Sequence, residues 1–76
     1  MKRTEFHKQL LNLIVNHDCD GGIAGLCKCA GIKYQTMQNR LRNPREMRIY
    51  EFDGIAESLH LNNEEQSNLM TAIRNG

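Results

Sequence analysis

The sequence predicts an all-α domain of five short helices. Apolar residues recur at intervals of three and four, no segment alternates in the manner of a strand, and glycine, proline and Asx residues fall between the periodic segments. The 76 residues, 39% of them hydrophobic, suffice for one small core. A domain of that size is expected to be stable by roughly 4–11 kcal/mol. With one proline and no low-complexity run, the chain reads as a single ordered domain over 1–76.

The first helix is expected over about Thr4–Asn16, with Phe6, Leu10, Leu13 and Ile14 on one face and Leu11 and Val15 widening it as either core or contact surface. "HDCDGG" then breaks the chain with two glycines and two turn-forming aspartates. A second helix, about Gly22–Ala30, turns Ile23, Leu26, Cys27 and Ala30 inward. Gly31 falls where a left-handed residue would end it. The third helix, about Lys33–Arg42, buries Met37 and Leu41, and Pro44 forces the residue before it out of helical geometry. In the fourth, Phe52, Ile55, Ala56 and Leu59 follow the i, i+3, i+4, i+7 pattern; Arg48 at the N-cap would put Glu51 at N3 and let Met47 staple onto Phe52. Asn62 or Asn63 caps the fifth, Glu64 and Glu65 oppose its dipole, and Leu69, Ile73 and Met70 form its apolar stripe.

A net charge of +1 conceals an uneven distribution. Between Lys28 and Arg48 stand six bases (Lys28, Lys33, Arg40, Arg42, Arg45, Arg48) and one acid, Glu46, a net of +5 over 21 residues. The other 55 residues hold four bases and eight acids, a net of −4. A basic block in a near-neutral chain is a local footprint for phosphate or an acidic partner.

Helices two and three, joined by about three residues around Gly31-Ile32, read as a helix-turn-helix over about 22–43. Cys27 stands where a close helix crossing requires a small side chain, and Ile32 plugs the space between the helices. Leu26, Cys27, Ala30, Gly31, Ile32 and Met37, followed by "NRLRNP" and "IYEFDGIAESLHL", resemble the lambda-repressor-like Cro/CI (Xre-type) family, especially its small phage-type members. The resemblance covers nearly the whole chain. It implies a compact five-helix domain of phage or prophage origin that acts as a Cro-like transcriptional regulator. Such a protein binds double-stranded DNA sequence-specifically in the major groove, as a homodimer on a palindromic operator. The family's usual dimer region points to Tyr50, Met70 and Ile73. Two departures stand out. Ile23, preceded by Asp18 and Asp20, occupies the place where the family often has a phosphate-binding glutamine, and Arg40 occupies a usually aliphatic place.

With Met37 and Leu41 inward, a 100° step per residue turns Gln35, Asn39 and Arg42 outward, leaves Gln38 at the flank, and puts Lys33 and Tyr34 at the exposed N-terminal end. These six are the expected base contacts: Gln and Asn pair with adenine, Lys and Arg with guanine. Lys28, Arg40 and Arg45 are the expected phosphate contacts. The alternative is a protein-binding adaptor or antitoxin-type component that keeps this fold without reading DNA, suggested by the modest net charge, Ile23 and the two aspartates.

Other chemistries find little support. His17, Cys19, Cys27 and Cys29 are zinc-ligand types, but Cys27 and Cys29 point about 200° apart on a helix and form no CxxC knuckle. Asp18-x-Asp20 opens like a calcium loop, yet Cys29 stands where the closing glutamate belongs. No nucleophile–base–orienter set can be assembled, so neither an enzyme, a cofactor nor a small-molecule ligand is expected. The charged N-terminal segment lacks a signal-peptide core, and no apolar run reaches the ~20 residues of a membrane span; a cytoplasmic protein is expected.

Overall fold

A computed structural model describes residues 3–75. Among them are five α-helices: α1 (Glu5–Asn16), α2 (Gly22–Ala30), α3 (Tyr34–Arg42), α4 (Ile49–Leu59) and α5 (Asn63–Asn75). A single 3₁₀ turn, Pro44–Glu46, follows α3, and the described residues hold no strand.

Local chemistry sets each boundary. Thr4 is the N-cap of α1 rather than its first residue: its hydroxyl accepts from the His7 N–H at 3.1 Å and donates to the Leu41 carbonyl at 2.7 Å. One side chain therefore starts α1 and ties it to the last turn of α3. Lys33 is likewise the N-cap of α3, extended at ψ 142°. Asn62 caps α5 reciprocally, its Oδ1 accepting from the Glu65 N–H at 2.8 Å while the Glu65 carboxylate accepts from the Asn62 N–H at 3.1 Å. Glu65 also meets His17 Nε2 at 2.8 Å, joining the end of α1 to the start of α5.

One core lies between the helices: Phe6, Leu10 and Ile14 from α1, Leu26 and Cys27 from α2, Met37 and Leu41 from α3, Phe52, Ile55, Ala56 and Leu59 from α4, and Leu69, Ala72 and Ile73 from α5. α2 packs chiefly on α4, and α1 on α5. Ile23, Ala30, Ile32, Leu13 and Met47 pack half-buried against this core. Leu61 and Pro44, both in connections, are buried as well. Of the two readings open for Val15, core or contact surface, its exposure of 72% leaves the surface, because the last turn of α1 runs past the core. One expectation needs correction: Met70 lies outside the core, its place on the stripe taken by Ala72. The Cα radius of gyration is 11.0 Å. No helix among the described residues is long and apolar enough to cross a membrane.

Candidate nucleic-acid interface

The stretch from α2 to α3 starts from two glycines. Gly31 has φ 72° and ψ 29°, the left-handed geometry that ends α2, and the Ile32 N–H returns to the Cys27 carbonyl at 3.0 Å. Gly54 of α4 lets α2 come close: a Cβ there would lie 2.9 Å from the Ala30 carbonyl oxygen. Cys27 is buried beneath the turn. α3 is thereby set out from the body with Met37 and Leu41 beneath it.

Its outer side carries Lys33, Tyr34, Gln35, Asn39 and Arg42, all exposed, with Gln38 half-buried at the flank. Asn43 Nδ2 donates to Asn39 Oδ1 at 3.3 Å, which restrains the Asn39 amide and leaves its NH₂ outward-capable. No acid lies in α3. Lys28, in the last turn of α2, is exposed.

The helix N-termini differ in a way that bears on anions. α1 and α5 are capped by side chains, and α4 has Glu51 in its first turn. Among the described residues, α2 and α3 are the two α-helices with neither a side-chain cap nor an acid in the first turn. Asp18 and Asp20 stand just ahead of α2, whereas no acid precedes α3 within the turn that leads into it, so its positive dipole end is the one without a nearby sequence anion.

Two of the expected phosphate contacts are otherwise engaged. Arg40 is drawn inward: its Nε donates to Glu51 Oε1 at 2.9 Å, and the two side chains are 13% and 4% exposed. Glu51 also accepts from the Arg48 N–H at 2.8 Å. Burial alone would raise the Glu51 carboxyl, but the Arg40 and Arg48 hydrogen bonds outweigh it and hold the group below its ordinary pKa. The hydrogen bond that Arg40 donates to Glu51 likewise raises Arg40. Arg40 thus orients α3 on α4 and is not a free cation at the surface. Arg45 stays exposed, but its Nε and Nη2 donate to the Arg74 carbonyl at 3.1 and 2.7 Å, capping the end of α5. Lys28 is the cation of the three left without a protein partner in hydrogen-bond range among the described residues.

Glu51 is the structural residue that sequence reasoning underrated. It was expected only as a helix-start acid. The signal lay in Arg40, a cation beside the inward-facing Leu41 of α3, which needs a partner from another element where its side chain is buried. Ile73, 9% exposed, belongs to the core and is withdrawn as a dimer contact; Tyr50 (69%) and Met70 (37%) remain at the surface, with Ile49 (82%) beside Tyr50. Among the described residues no group of three or more His, Cys, Asp or Glu side chains is placed to hold a metal ion. Comparison with protein-family models, curated proteins and solved structures gives no match to this chain.

Proposed function

We propose that the chain is a sequence-specific double-stranded DNA-binding protein, a small transcriptional regulator in which α2, the Gly31 turn and α3 act as a helix-turn-helix of the lambda-repressor-like kind. The observation that carries the reading is the outer side of α3, where Lys33, Tyr34, Gln35, Asn39 and Arg42 stand exposed on a rigidly seated helix that contains no acid. Amides and cations in that setting are the side chains that read adenine and guanine edges in a major groove. The uncapped N-terminus of α3, with Lys28, suits the flanking phosphates. Gln38 reads from the flank. A homodimer on a palindromic operator, using the exposed Tyr50 and Met70, completes the proposal.

The experiment is selection of bound sequences from a random duplex pool. Enrichment of a palindrome supports a specific dimer, and recovery of no consensus overturns specific reading. A second reading, a protein-binding adaptor on the same fold, is favoured by the exposed pair Ile49 and Tyr50 and by Asp18 and Asp20 ahead of α2. It requires duplex affinity that barely changes with salt, whereas neutralising several phosphates gives a steep log–log decline.

A further inference from the structure

α4 meets α2 through Gly54, and a different side of the helix lies open. Ile49, Asp53, Ala56 and the C-cap His60 follow one another at i, i+4, i+7 and i+11, so they form one line along α4, with Glu57 beside it. Between this line and the start of α5 runs an open groove lined by Asp53, Ala56, Glu57, His60, Leu61 and Gln66. Its floor is apolar, since Ala56 and Leu61 are buried members of the core. Its rim is made of acceptors. Gln66 Nε2 is already committed to the Leu61 carbonyl at 3.0 Å, which leaves the amide oxygen for a donor. Asp53 and Glu57 are exposed, and neither carboxylate has an ion-pair partner among the described residues. One turn before Asp53, Ile49 is 82% exposed.

We propose that this groove and Ile49 together dock a basic amphipathic segment of another protein, one that carries an aliphatic residue and, one or two helical turns away, arginine or lysine. The inference does not rest on DNA reading, because the exposed side chains of α3 lie outside the groove.

Charge complementarity selects this occupant. A long cationic side chain lays its methylenes on an apolar floor while its charged head stays in reach of acceptors and water. Arginine suits the place best, because its donors form a planar fork that can meet carboxylates pairwise. An acidic segment is repelled, and a wholly apolar one would cover both carboxylates without pairing them. A second copy presenting the same face is ruled out by charge, since two-fold pairing of α4 brings Asp53 and Glu57 against their own equivalents. A copy presenting its basic α2–α3 side would make a head-to-tail contact, which builds chains or rings rather than a dimer. Tyr50 stands further round α4 and is left to the dimer proposed above.

The test uses the full-length protein, labelled for amide shift mapping, and synthetic helical peptides of about twelve residues, the length that spans Ile49 to His60. One peptide carries leucines on one face of its first half and arginines on the same face of its second. Another has the halves exchanged, and a control replaces every arginine by glutamate. At least one arginine peptide should shift the amides of Ile49, Asp53, Glu57, Leu61 and Gln66 while those of Gln35 and Asn39 stay in place. The glutamate peptide should shift none of them. In titrations with the bound peptide, D53N/E57Q should weaken affinity about five- to tenfold, as expected for two exposed charge contacts, and the loss should shrink with added salt. I49A should weaken it about threefold to tenfold through lost apolar contact. All three side chains are exposed, so both variants should keep the wild-type melting temperature. Binding of neither arginine peptide, equal binding of the glutamate peptide, shifts centred on α1 or α3, or undiminished affinity in D53N/E57Q would each overturn the proposal. So would self-association of the wild type that D53N/E57Q and R42A both abolish, which would make a second copy's basic side the occupant.

Discussion

Glu51 and Arg40 show how much one residue can settle. The side chain is 4% exposed, and two donors meet its Oε1. Removing one partner of such a pair leaves a buried charge unmatched, so Arg40→Met should destabilise the fold at pH 7 by about 3 kcal/mol. The sign with pH follows from linkage. In the native protein the Glu51 pKa lies below the 4.5 of the free side chain, so its stabilising contribution is complete above that value and is lost as pH falls through the folded pKa. Without Arg40, burial dominates and favours the protonated acid. The deficit of Arg40→Met relative to wild type should therefore shrink from pH 7 to pH 4 in denaturant titrations; a constant deficit would mean that the pair is not the cause. Two glycines make a second comparison. Gly31 has open space around a Cβ but a φ of 72°, so Gly31→Val carries a backbone cost alone, about 1–2 kcal/mol. At Gly25 the added carbon meets backbone at 1.8 Å, and Gly25→Ala should cost at least about 2 kcal/mol despite the smaller side chain. Melting temperatures that rank the two variants the other way would show that the α1–α2 connection yields easily.

At the scale of elements, periodicity made the helices legible: Met37 and Leu41 inward, Phe52 to Leu59 along α4, and the left-handed Gly31 all lie as the pattern requires. What periodicity could not convey came from chain direction and from partners far along the sequence. Val15 continues the α1 stripe in spacing, but the helix outruns the core there. Pro44 reads as a stop signal, yet it also opens a 3₁₀ turn and is buried. Arg45 looked free because its partner, the Arg74 carbonyl, lies 29 residues away. For α3 the expectation is a separation of roles. Gln35→Ala should relax preference at one or two base pairs, at a cost of ~1–3 kcal/mol there, with an unchanged salt slope. Lys28→Ala should weaken all sequences alike and lower the slope by about one unit. Binding titrations on the selected operator, its single-base variants and unrelated DNA would separate them; uniform weakening by Gln35→Ala would remove α3 from the reading role.

For the whole molecule, size bears on the dimer proposed above. The principal extents are 27 × 25 × 23 Å, less than the ~34 Å between successive major grooves on one face of B-DNA. Two copies fit side by side there and need reach each other only through their edges. Footprinting should accordingly protect two half-sites about one helical turn apart. A single unrepeated site would indicate a monomer. α5 adds a consequence of another kind. Its first turn is fastened to His17 through Glu65, and the Arg74 carbonyl of its last turn to Arg45. Helix ends ordinarily fray, and their amides exchange with solvent deuterium far faster than the middle. In α5 that gradient should be shallow, with the Leu69, Ala72 and Ile73 amides exchanging on one common timescale. Arg45→Ala should steepen it, freeing Ile73 first, while Leu69 keeps its protection.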